Sequence, residues 1–144
     1  MFQVAIQPEE TLFVFDRGLV RHIYTDGRPH PSSDDMWPTP VGDSIGHWEK
    51  QTLVIDTIGR TAGPVFLGRG ADLSEAAHFV ERVRRIGRDV LEDQLTITDP
   101  LRFVRPWQMT ITYSRIANLD RMIPWDCAND RISSVDGKLI DSQP

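Results

Sequence analysis

GDSIGHWEKQTLVIDTIG, residues 42–59, reads as two strands joined by a reversal at Glu49-Lys50-Gln51. Successive side chains on a strand point to opposite faces. His47 and Glu49 therefore share one face while Trp48 takes the other. Trp48 and the run Leu53-Val54-Ile55 supply the apolar area of this hairpin. The expectation is Trp48 in the core, with His47 and Glu49 outside; the rival reading lines a cavity with the polar pair. Asp56 interrupts the apolar run, and a buried carboxylate is costly unless paired. An arginine partner or a strand end is expected for it.

The same period extends outward. TLFVFDRG (11–18) and LVRHIY (19–24) form an expected hairpin around Asp16-Arg17-Gly18. Thr25-Asp26-Gly27-Arg28-Pro29 is a turn. Residues 29–42 hold Pro29, Pro31, Pro38 and Pro40 and read as a long loop. Residues 59–72 read as a glycine-rich connection. Asp72–Ala77 carries the one helix-start signal, with Asp72 as N-cap and Glu75 three residues on. HFVERVRRI, VLEDQLTIT (90–98) and QMTITYSRI alternate as strands. About eight short strands with frequent turns predict an all-β fold. The specific expectation is one domain over residues 1–144: a small antiparallel up-and-down, lipocalin-like barrel with at most one or two short helices.

A chain of 144 residues can bury a core without metals or disulfides. The net charge of −5 gives no overall positive field for nucleic acid or an anionic membrane, so neither is an expected partner. No apolar run approaches the length of a membrane-spanning helix. Cys127 is the single cysteine and cannot form an intramolecular disulfide. The opening MFQVAIQPEE lacks a basic segment followed by an apolar one. These features lead to a cytoplasmic expectation. Cys127 is read as a small buried residue.

IYTDGRPHP (23–31), GDSIGHWEKQTLVIDTIG (42–59), Ser74–His78 with VERVRR (80–85), and DPLRFVRPWQMTITY (99–113) together resemble a large family of functionally uncharacterised bacterial proteins. The resemblance spans roughly residues 12–132 and rests on motifs of the form DGRPHP, GxSIGxWExxTLVxDT and RPWxxT. It implies that these segments belong to one domain, and no activity. The chain departs from the pattern at Lys50-Gln51, where Gly-Asp is usual. It departs again after Cys127, where Ala128-Asn129-Asp130-Arg131 replaces a glutamate and asparagines.

The chemistry-bearing residues lie in these segments. His22 and Tyr24 share a strand face, with Asp26, Arg28 and His30 following. Imidazole moves protons near neutrality, and a carboxylate orients it. His78 and Glu81 fall on opposite faces if residues 78–86 are strand. Histidine spacings of 8, 17 and 31 residues carry no metal-binding signature, and no nucleotide loop is present. GDSIG precedes a hairpin and so is not a serine-hydrolase elbow. No metal or cofactor is expected.

The first expectation is a cofactor-independent acid–base enzyme of lyase, isomerase or dehydratase type, acting on a small, partly hydrophobic molecule, aromatic ones among the candidates, in a barrel pocket. Its acid–base set is His22, Asp26, His47, His78 and Glu81; Tyr24, His30, Trp107 and Tyr113 contact substrate. His22, Tyr24, His47, His78 and Trp107 are expected to converge. Should they scatter over opposite faces, this arrangement fails and a surface-interaction role takes precedence. The second expectation is a non-catalytic ligand-binding barrel, with no histidine at the pocket base. The third is an interaction protein with a homodimer contact, favoured by a convex apolar patch.

Overall fold

Alternation decides what each strand buries. In TLVIDTI, Leu53, Ile55 and Thr57 are buried while their neighbours are half-exposed. In VLEDQLTIT, Asp93, Leu95 and Ile97 follow the same parity. The structure is a computed structural model that describes residues 1–16, 18–66, 69–119, 121, 132–135 and 138–141. The described residues form strands, turns and loops, with no helix among them.

The strands are β1 (Phe2–Ile6), β2 (Glu10–Phe15), β3 (Val20–Tyr24), β4 (Asp43–Glu49), β5 (Thr52–Ile58), β6 (Gly63–Phe66), β7 (Arg69–Leu73), β8 (His78–Gly87), β9 (Val90–Thr98), β10 (Trp107–Ser114), β11 (Ile132–Val135) and β12 (Lys138–Asp141). Eight of them build one sheet in the order β1-β2-β3-β4-β5-β8-β9-β10. β6–β7 and β11–β12 form separate two-stranded ribbons. The main sheet curls into a half-barrel. Its edge strands β1 and β10 meet through side chains: the rings of Phe2 and Tyr113 sit edge to face, 5.0 Å apart.

The all-β expectation holds, but the sheet is a half-barrel with β1 and β10 as edges and not the expected antiparallel up-and-down barrel, and one junction is parallel. β3 and β4 run parallel, through Ile23↔Ser44 and Tyr24↔Ile45. A parallel pair needs a crossover, and the proline-rich loop between Tyr24 and Asp43 provides it. Gly42 ends that loop at φ 71°, where a Cβ would lie 2.6 Å from the Ile58 carbonyl oxygen. The connection after Gly59 contains the β6–β7 ribbon, so it is not loop throughout.

The helix-start signal at Asp72–Ala77 produces no helix. Asp72 and Leu73 finish β7, and Ser74–Ala77 is a turn closed by Ala77 N–H to Ser74 O at 3.2 Å. Asp99 holds that turn, accepting hydrogen bonds from the Ser74 amide at 2.7 Å and hydroxyl at 2.8 Å. The Asp99 carboxylate has thus taken the amide that would open a helix.

Two apolar clusters sit on the concave face. Phe13, Ile23, Leu53, Ile55 and Val83 form one. Leu73, Ala77, Phe79, Leu95 and Ile97 form the other, flanked by Phe103, Trp107, Met109 and Ile111. Full burial of Ile23, Ile55 and Ile97 contributes about 1.5–3 kcal/mol each. Trp48 shares the concave parity but remains 43% exposed. It lies opposite Leu53 beside the β4–β5 reversal, at the solvent end of the sheet, which corrects its expected core role. Among the described residues no helix is long and apolar enough to cross a membrane.

Candidate functional site

The curl leaves a cavity of about 540 Å³ on the concave side. Phe2, Phe13, Phe15, Phe79, Leu95 and Ile111 give it apolar walls. Arg21, Thr57, Arg60, Glu81, Asp93 and Tyr113 add polar groups. These residues come from β1, β2, β3, β5, β8, β9 and β10, and from the segment after β5.

Arg21 organises the floor. Its Nη1 donates to Glu81 Oε1 at 3.0 Å, and its Nη2 also bonds Glu81 Oε2. Its Nε donates to Ser44 Oγ at 3.0 Å, and Nη2 to Thr57 Oγ1 at 2.7 Å. Ser44 and Thr57 hydrogen-bond each other at 2.9 Å. The planar guanidinium is suited to such a fork. β4 and β5 lie between β3 and β8, so Arg21 reaches across two strands and bonds one residue on each.

Asp93 differs from its neighbours. It is 4% exposed, and its Oδ1 is buried with no hydrogen-bond partner. Burial, then the negative charge of Glu81, pushes its carboxyl up to about 7, against a smaller pull from Arg21. Tyr113 is pushed up to about 12, first by burial and then by Asp93 and Glu81. Arg60 places its guanidinium 4.8 Å from the Phe79 ring centre, and its Nε donates to Pro40 O at 3.2 Å. Burial and then Arg21 lower its affinity for its proton.

The histidines lie elsewhere. His22, Tyr24 and His78 have the opposite parity to the cavity-lining residues of their strands, and His47 has the opposite parity to Ser44, which bonds Arg21. His22 Nδ1 contacts Glu10 Oε2 at 2.8 Å and its ring stacks on Tyr24. Tyr24 lies under Arg28, which is paired to Asp26 at 2.6 Å. That hydrogen-bonded pairing holds Asp26 below the usual carboxylate range. His47 Nε2 contacts Glu49 Oε1 at 3.3 Å, and Arg82 donates to Glu49 at 2.6 Å. His30 Nδ1 contacts Asp43 Oδ1 at 2.5 Å, and its Nε2 contacts Asp56 Oδ1 at 3.1 Å. His78 Nε2 reaches the same Asp56 oxygen at 2.7 Å. Asp56 is thus satisfied by two imidazoles, where an arginine was expected.

The five side chains expected to converge do not. Trp107 packs on the concave side against Phe103; the other four occupy three clusters on the convex face. Of the expected set, Glu81 and Tyr113 line the cavity. Arg21, Ser44, Thr57, Arg60 and Asp93 were missed. The available signal was parity: Arg21 alternates with His22 and shares a face with Ile23, and Asp93 shares one with Leu95 and Ile97. Cys127 lies outside the described residues. No group of three or more His, Cys, Asp and Glu side chains among the described residues is arranged to hold a metal ion.

Comparison of the chain with protein-family models, with curated proteins and with solved structures finds no match.

Proposed function

We propose that the protein binds a small, largely hydrophobic molecule on the concave side of its curled sheet, as a lipocalin-like ligand-binding barrel. The observation that carries this reading is the cavity itself: phenylalanine and aliphatic walls around a few polar groups. Its volume of about 540 Å³ lies in the range of small-molecule sites. The pocket lacks a histidine at its base, which favours binding over the histidine-based chemistry expected from the sequence. An interaction surface would be apolar and convex. The convex face instead carries the pairs His22–Glu10, Asp26–Arg28, Glu49–Arg82 and Arg84–Glu92.

A thermal-shift panel of aromatic acids, aldehydes and terpenoids tests the proposal. Hits should raise the melting temperature of the native protein and lose that effect in Ile111→Trp, which fills the cavity. Hits unaffected by Ile111→Trp would refute the site, and a panel without hits would count against binding of this class.

Asp93 favours a second reading. A carboxyl that titrates near 7 inside an apolar pocket matches the requirement for a general acid–base group at neutral pH. In this version Asp93 replaces the histidines as proton carrier, and the reaction remains a cofactor-independent proton transfer. Asp93→Asn should then abolish turnover of a bound compound while leaving its affinity within a few-fold.

A further inference from the structure

The charges in the cavity do not cancel. Arg21 is consumed by Glu81, Ser44 and Thr57. Asp16, also on the lining, is bound to the Met1 amine at 3.1 Å. Arg60 has no carboxylate partner among the described residues. It is half-buried on the cavity lining, held by a carbonyl through Nε and by the Phe79 ring. A guanidinium offers five donors, so its two terminal nitrogens remain available to a planar anion. Beside it runs a continuous apolar wall. Asp93, buried and unpartnered in the same lining, is the kind of orphaned group that marks a ligand site.

Resting on the binding reading above, we propose that the ligand is a carboxylic acid with an apolar body: its carboxylate pairs with Arg60 and its body lies against Phe2, Phe13, Phe15 and Phe79. Arg–carboxylate pairing is bidentate and charge-assisted. The local charge balance decides for an anion over a cation while Asp93 is protonated. Arg21 and Glu81 then cancel, Tyr113 is neutral, and Arg60 leaves one positive charge.

The same arrangement couples binding to pH. The groups bearing on Asp93 are Glu81 from β8, Arg21 from β3 and Tyr113 from β10; Arg60 lines the same cavity. An incoming carboxylate adds another negative charge, which favours protonated Asp93. Affinity for the acid must therefore fall as pH rises through the range where Asp93 ionises.

The probes are decanoate, methyl decanoate and decylamine, titrated calorimetrically into the full chain at pH 6 and pH 8.5. At pH 6 decanoate should bind about tenfold tighter than its methyl ester, the size expected of one charge-assisted pair. Arg60→Gln should erase that preference while leaving the ester within about twofold, and Arg60→Lys should keep part of it. Decanoate affinity should drop several-fold between the two pH values in the native protein and stay level in Asp93→Asn. Equal binding of acid and ester, tightest binding of the amine, or an equal loss of all probes in Arg60→Gln would overturn the carboxylate assignment and leave the cavity reading standing. Binding of none of the three would remove both.

Discussion

Asp93→Asn should make the protein more stable at alkaline pH, and the gain should vanish in acid. The group is an acid whose folded-state value is raised from 3.8 to about 7. Between those values the folded state holds a proton that the unfolded state has released. Stability therefore falls as pH rises through that window, and the penalty is complete above about 7. At ~1.4 kcal/mol per pH unit the full penalty is on the order of 4 kcal/mol. Asparagine keeps the shape and cannot ionise. Any cost of its amide is independent of pH and shifts the whole comparison without altering its slope. Urea unfolding followed by tryptophan fluorescence at pH 5, 6, 7, 8 and 9 gives the difference directly. The native protein should lose stability relative to the variant by roughly 1 kcal/mol per unit between pH 5 and 7, then run parallel to it. Parallel curves over the whole range would show that Asp93 is not held protonated by burial, and the acid–base reading would fall with it.

Removing one partner of the buried Arg21–Glu81 pair, by Arg21→Met or Glu81→Leu, should cost about 3–5 kcal/mol in urea unfolding, and the double substitution should recover much of that. Arg21→Met should also raise amide hydrogen exchange in β1–β3 above that in β8–β10. His30→Ala removes both carboxylate contacts that pin the proline-rich loop. Limited proteolysis should then cut within residues 29–42. Lys50 holds φ 57°, a left-handed conformation that costs about 1 kcal/mol outside glycine; Lys50→Gly should raise the urea midpoint by a corresponding amount.

Local alternation made most of the strands legible. The reversal at Glu49-Lys50-Gln51 and the strand at VLEDQLTIT are where the period of two puts them. Even the opposite facing of His78 and Glu81 on β8 follows from parity alone. Parity says which residues share a face, and not which face is concave. That choice is made by the curl of eight strands, a long-range property. Imidazole titrates near neutrality, which makes histidines the candidate acid–base groups in a sequence. The concave face was set instead by their neighbours, Arg21 beside His22 and Phe79 beside His78. The parallel β3–β4 junction was hidden for the same reason: a proline-rich loop can lead to a hairpin or a crossover, and only the pairing of distant strands decides. The raised value of Asp93 has no local signature, since burial and the approach of Glu81 cause it.

The weak point of the sheet and its polar floor share a physical origin. β3 meets β4 through only two register pairs, whereas β4 meets β5 through seven. Backbone bonding alone therefore holds the β1–β3 half loosely to the rest. Arg21 leaves β3 next to this seam and bonds Ser44 on β4, Thr57 on β5 and Glu81 on β8. One long side chain thus restores part of what the short parallel ladder lacks. A charge so placed needs a carboxylate, because an unpaired guanidinium beside Phe13 would carry its full desolvation cost. Glu81 supplies that carboxylate, and its negative charge is the second cause, after burial, of the raised Asp93. The polarity of the cavity thus follows from closing the sheet. Arg60 is the charge that this closure does not use.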